Sequence, residues 1–185
     1  MWIFLLTELL LFGGLFIAYA AYRSLDRGAF HAAGAELDAV LGVANTVVLL
    51  TSSLTVALAV QALRAGRERE VPRWLGVTVL LALVFLSVKG LEWSTKFHHG
   101  LFPGQPGLLA RPPGERLFFG LYFAATGLHA IHVFAGAVLL SVAGALVARG
   151  RVHRGAPVIL ENAGIYWHLV DVIWIFILPL FYLAA

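Results

Sequence analysis

"FFGLYFAATGLHAIHVFAGAVLL", residues 118–140, contains no Asp, Glu, Lys or Arg. An uncharged apolar stretch longer than about 18 residues reads as a membrane-spanning helix. This one lies inside a still longer segment, 117–147. Working outward, four more apolar segments, with at most two charges each, appear at about 2–22, 39–63, 74–95 and 158–183. Each is long enough to cross a hydrocarbon core of about 30 Å as a helix. The chain is therefore expected to be all-α, an integral membrane bundle of five transmembrane helices forming one domain over 1–185.

Composition agrees. Of 185 residues 61% are hydrophobic and 12% are charged, where soluble proteins carry roughly 25% charged residues. Half that density cannot coat a water-facing globule. The net charge is only +3, with the basic residues spread through loops, so a nucleic-acid surface is not expected. With no cysteine, disulfides, thiolate metal sites and cysteine nucleophiles are excluded. The first apolar run has neither a basic leader nor a small-residue cleavage site, so it reads as a span rather than a signal peptide.

The connections set an orientation. Arg64, Arg67, Arg69 and Arg73 sit in one short loop, and Arg149, Arg151 and Arg154 in another. The longer loops 23–38 and 96–116 hold five Lys or Arg between them. Basic residues concentrate in short cytoplasmic loops, which places the N-terminus inside and the C-terminus outside. Trp2 and Trp74 then fall at inner ends, and Tyr22, Trp93 and Tyr182 at outer ends, the positions of an aromatic belt. The stretch 101–116, rich in proline and glycine, is expected to be an outer loop and not a helix, with Gly104 and Pro106 marking tight turns.

Polar residues inside the spans are the functional candidates, because a charge at mid-bilayer costs at least about 2.5 kcal/mol. Glu8 interrupts the first span. On the second, Asn45, Ser52 and Thr55 fall within about 80° of one another, a pattern suited to close, hydrogen-bonded helix contact. Lys89 and Glu92, three apart near the end of the third, share a face and can neutralise each other; His98 and His99 beyond them are expected in solvent. The fourth span aligns Thr126, His129, His132 and Gly136 on one stripe, and the fifth aligns Glu161, His168 and Asp171. Two such stripes facing each other would form a buried network of His and carboxylate groups. A metal site is the rival. Di-iron bundles, however, use a Glu-x-x-His repeat on two helices, whereas this chain offers His-x-x-His and Glu-x6-His-x-x-Asp. Glu161 and Asp171 would also stand about 15 Å apart along one helix, so no single metal reaches both. A proton relay or a lipid contact remains open for these groups.

The order of "WIFLLTELLLFGGLFIAY" (2–19), "NTVVLLTSS" (45–53), "GLEW" (90–93), "ATGLHAIHVFAG" (125–136) and "ENAGIYWHLVDVIWIF" (161–176) resembles subunit III of haem-copper respiratory oxidases. The resemblance covers all five spans, and its last two motifs are not generic membrane patterns. It implies an accessory subunit with no haem or copper of its own, these lying in partner subunits. The chain would pack mainly against subunit I, with subunit II and phospholipid also in contact, in the bacterial cytoplasmic membrane. It would support stability of the complex and proton uptake. By the same resemblance Glu8 matches the family's intramembrane carboxylate, Glu92 its x-E-W/Y acid, Thr126, Gly127, His129 and His132 the fourth-span motif, and Glu161, Trp167, His168, Asp171 and Trp174 the last span. Arg149, Arg151 and Arg154 are candidates for a lipid headgroup.

Two departures accompany the resemblance. The chain begins where the third span of the seven-span form would, as in five-span versions of some bacterial oxidases. The connection at 148–160 lacks the aromatic- and His-rich stretch common before the last span. The host would be a cytochrome c or quinol oxidase reducing oxygen to water. Alternatives are a nitric oxide reductase partner, or a small transporter built on the buried His and acid groups.

Overall fold

The computed structural model describes residues 2–183, with the backbone alone at Trp2, so the expectation for that indole lies outside the described side chains. Among the described residues all regular structure is helical. The elements are α1 (Trp2–Leu25), α2 (Arg27–Gly34), α3 (Ala39–Arg64), α4 (Val71–His98), α5 (Pro106–Leu109), α6 (Pro113–Ala148) and α7 (Val158–Leu178). A 3₁₀ turn at Glu68–Glu70 precedes α4, and a π-helical turn at Pro179–Leu183 closes the chain. Five of these helices, α1, α3, α4, α6 and α7, are long and apolar enough to cross a membrane.

The spans run as the hydropathy pattern predicts, but the polar connections are more helical than expected. Loop 23–38 contains α2, whose N-terminus is capped by Asp26, the side chain accepting from the Ala29 N–H at 3.1 Å. The stretch 101–116, expected to be non-helical, contains α5 and the first turn of α6. Proline is the reason in both places. Pro106 and Pro113 occupy first helical positions, where the missing N–H is no loss and φ is already set. Gly104, expected at a tight turn, has φ +92°.

Three helices, α3, α4 and α6, end in the same way for a local reason. After α3, Gly66 adopts φ +76° while the Arg67 N–H bonds to the Ala62 carbonyl at 2.9 Å. After α4, Gly100 adopts φ +71° while the Leu101 N–H bonds to the Lys96 carbonyl at 3.0 Å; after α6, Gly150 adopts φ +68° while the Arg151 N–H bonds to the Leu146 carbonyl at 2.9 Å. This left-handed turn satisfies carbonyls left over at the helix end and favours glycine, which has no Cβ to clash.

The described chain divides into two compact units, one drawn from 1–44, 88–129 and 173–185, the other from 45–87 and 130–172. The first has an aromatic core. Tyr19, Phe30, Phe118 and Phe181 meet largely edge to face, with centroid separations from 4.7 to 6.4 Å. Such geometry suits the ring quadrupoles, and Phe30 is how α2 is anchored. The second unit packs through small residues: Ala59, Ala62, Ala82, Ala137, Ala143 and Ala163 are all buried. A Cβ placed on Gly136 would come within 2.8 Å of the Trp167 ring. Small residues of this kind let helix backbones approach where no hydrophobic force drives them together.

Candidate functional site

In the first unit, α4, α6 and the terminal π turn bring four polar side chains together. Lys89 and Glu92, one turn apart on α4, form an ion pair at 2.9 Å, and both are almost fully buried. The Lys89 ammonium also donates to the Tyr122 hydroxyl at 3.1 Å and the Tyr182 hydroxyl at 2.6 Å. Both phenols in turn donate to Glu92 Oε1, at 2.6 and 2.7 Å. All three ammonium protons and both carboxylate oxygens therefore have partners, and the cluster is neutral as a whole. Rings of Tyr122, Trp174 and Tyr182 lie 5.1–5.4 Å from the ammonium, within cation–π range. A buried pair is tolerable only when its remaining donors and acceptors are satisfied in this way.

This arrangement corrects one expectation. Tyr182 is not an interfacial belt residue: it is buried, with its hydroxyl on Glu92. The π turn directs it there. Tyr22 remains exposed, as do His98 and His99.

Around this cluster, Thr126 is buried and returns its hydroxyl to the Tyr122 carbonyl at 2.7 Å. His129 is fully buried with its ring 5.0 Å from that of Trp174. Glu8, on α1 in the same unit, is partly exposed, with one carboxylate oxygen shielded. Outside the spans, Arg111 links Glu36 and Glu115. The hydrogen bond to Glu36 is the main cause holding its guanidinium pKa above the ordinary value.

In the second unit the polar residues make several small contacts. Asn45 donates to the Phe85 carbonyl at 3.4 Å, and Thr55 and Thr78 share a hydroxyl contact at 2.7 Å. Ser52 accepts the Trp167 indole N–H at 3.0 Å, while Ser53 meets His168 Nδ1 at 2.5 Å. Asp171 is buried beside the same Ser53 hydroxyl, although neither carboxylate oxygen meets a donor at full hydrogen-bond geometry. His132 offers its carbonyl to the Tyr166 hydroxyl at 3.1 Å. Glu161 turns to Arg64 at 2.8 Å, half in solvent. Arg149, Arg151 and Arg154 are exposed in the turn after α6, and the Arg154 N–H donates to Glu68 at 3.1 Å.

The expected polar residues thus divide. Glu92, Thr126 and His129 belong to the first unit; Asn45, Ser52, His132, Glu161, His168 and Asp171 belong to the second. Among the described residues, no three His, Cys, Asp or Glu stand close enough to hold a metal ion. Sequence reading missed both tyrosines and Arg64. Tyr122 lies four positions before Thr126 on the same stripe, so a helical pattern could have revealed it. Arg64, at the end of its span, carries no such signal for a partner 97 residues away.

Comparison with known proteins bears directly on these motifs. The family described as cytochrome c oxidase subunit III matches residues 1–185, the whole chain. The chain belongs to this family. Among similar proteins is the cytochrome c oxidase subunit 3 of Synechocystis, 32% identical over 182 residues, covering 98% of this chain and 72% of the relative. The subunit 3 of Thermostichus vulcanus is 30% identical, covering 99% of this chain and 85% of its own. The cytochrome bo(3) ubiquinol oxidase subunit 3 of Pseudomonas aeruginosa is 30% identical, covering 100% and 83%. Within the subunit III family, this member is a multi-pass membrane protein with five long apolar helices among the described residues.

Proposed function

We propose that the chain is an accessory, non-catalytic subunit III of a proton-pumping haem-copper oxidase that reduces oxygen to water. It works as one membrane domain in the bacterial cytoplasmic membrane, N-terminus inside and C-terminus outside, docked chiefly on the haem-bearing subunit I. The observation that carries this reading is the family match over the full length, joined by relatives named as both cytochrome c and ubiquinol oxidase subunits. The loop charges support the orientation, with seven Arg in the two short loops against five Lys or Arg in the two longer ones.

In this reading the Lys89–Glu92–Tyr122–Tyr182 cluster is a structural lock, and Glu8 assists proton entry into the neighbouring subunit from the cytoplasmic side. Arg149, Arg151 and Arg154 face lipid headgroups at that same side. Purification in mild detergent is expected to bring down a larger haem-bearing subunit, with no stoichiometric iron or copper on the isolated chain. A monodisperse chain with its own transport activity would overturn the reading. Glu8→Gln is expected to leave assembly intact while slowing proton uptake or shortening the active lifetime of the complex; wild-type turnover and inactivation together would make Glu8 structural.

A further inference from the structure

Within the second unit, α7 buries an acid that has no counter-charge. Asp171 is 3% exposed, and both of its carboxylate oxygens are shielded without a donor at full hydrogen-bond geometry. On the parts of the spanning helices in this unit the other titratable side chains are Arg64 on α3, Arg73 on α4, His132 on α6, and Glu161, Tyr166 and His168 on α7. Arg64 pairs with Glu161, Tyr166 donates to the His132 carbonyl, and Arg73 is exposed at the start of α4. None of them sets a charge against Asp171, and the polar group beside it is the Ser53 hydroxyl.

That hydroxyl is shared. Ser53 Oγ lies 2.5 Å from His168 Nδ1, and two arrangements of protons satisfy this contact. If Asp171 is ionised, the single Ser53 proton goes to the carboxylate and His168 donates from Nδ1. The charge then stays buried, held by one donor. If Asp171 is a carboxylic acid, its O–H donates to Ser53 Oγ and the Ser53 O–H donates to His168 Nδ1. The imidazole then carries its own proton on Nε2, and no charge is buried. An ionised carboxylate without a partner costs far more away from water than one hydrogen bond returns, so such a group neutralises instead.

We propose that Asp171 is held as a neutral carboxylic acid, and that its proton, acting through Ser53, fixes His168 as an Nε2–H donor. Asp171 and His168 stand three residues apart on one face of α7, so a single serine of α3 serves both. The chain Asp171→Ser53→His168 thus ties α7 to α3 with neutral hydrogen bonds, where the first unit uses the Lys89–Glu92 ion pair. His168 is half-buried and lines an open groove with Ala57 and Gln61 of α3. With its Nδ1 occupied by Ser53, the imidazole meets that groove as a neutral donor and not as a base.

The test is an infrared difference spectrum of the full chain in detergent at neutral pH, unlabelled against a sample with isotopically labelled aspartate carboxyls. The other aspartates, Asp26 and Asp38, are exposed and cap α2 and α3 as acceptors, so they contribute carboxylate bands. A label-sensitive carboxylic C=O band is expected from Asp171, and its loss is expected in Asp171→Asn. Ser53→Ala should shift that band to higher frequency, because the acid loses its acceptor. Nitrogen NMR of labelled histidine, assigned with His168→Gln, should show the Nε2–H tautomer at His168 and a mixture of tautomers in Ser53→Ala. The labelled spectrum needs no variant, so it reads the protonation state even where Asp171→Asn fails to fold. Carboxylate bands alone, a carboxylic band that survives Asp171→Asn or stays fixed in Ser53→Ala, or an Nδ1–H tautomer at His168 overturns the proposal.

Discussion

At the scale of single residues, the Lys89–Glu92 pair is a case where removal and replacement have different consequences. Glu92→Gln leaves an ammonium 2% exposed facing two phenols and an amide. Losing one partner of a buried pair costs about 3–5 kcal/mol, whereas replacing the whole group with apolar side chains of similar volume is often neutral. Thermal melts in detergent should therefore show a large loss for Glu92→Gln and a smaller one for the double change Lys89→Met with Glu92→Leu. A larger loss for the double change would mean that the ion pair contributes net stability. Gly136 makes a second residue-scale prediction. Its absent Cβ would meet two Trp167 ring carbons at 2.8 and 2.9 Å and Tyr166 at 3.0 Å, so Gly136→Ala forces large buried rings to move. Overpacking of this kind costs about 1–3 kcal/mol, visible as a lowered melting temperature.

At the scale of elements, glycine is required where the backbone turns and not where it runs straight. Gly150 ends α6 at φ +68°, and a Cβ in that conformation costs about 1–2 kcal/mol. Gly13 and Gly14 lie inside α1, where an added Cβ meets nothing within 4 Å. A mid-helix glycine is about 1 kcal/mol worse than alanine. The melting temperature of the isolated chain should fall for Gly150→Ala and hold or rise for Gly14→Ala. If Gly14→Ala instead lowers it, α1 has a close neighbour within this chain. The π turn after α7 is the other element-scale device. It carries Tyr182 inward, and its Leu180 carbonyl accepts the Tyr19 hydroxyl, tying α1 to the chain's last turn.

At the scale of the molecule, the two units use different packing chemistry for one purpose. Aromatic rings fill the first, while alanine and glycine bring backbones together in the second. Large apolar side chains such as Ile3, Leu10, Ile17 and Ile131 stay exposed, as expected where the surrounding solvent is hydrocarbon. Lipid does not drive helices together by hydrophobicity, so the polar contacts and tight glycine approaches carry more of the specificity here than they would in water.

What the sequence determined by itself follows from terms local to a segment. Long apolar runs with few charges gave five spans, helical period placed Lys89 beside Glu92, and ordered motifs such as T-G-x-H-x-x-H-V gave the family. Only tertiary structure decided which stripe met which. It brought Tyr122 and Tyr182 onto the Lys89–Glu92 pair, turned Glu161 toward Arg64 rather than toward the histidines, and assigned His129 and His132 to different units. The physical reason is that one helix face offers several polar side chains at nearly equal local energy. Their partners, 115 residues away in the case of Ser53 and His168 and 161 in the case of Tyr19 and Leu180, are chosen by packing that no local pattern records. The helical pieces in the loops were missed for a related reason: proline and glycine mark a turn in sequence, but a proline at the first helical position begins a helix just as readily.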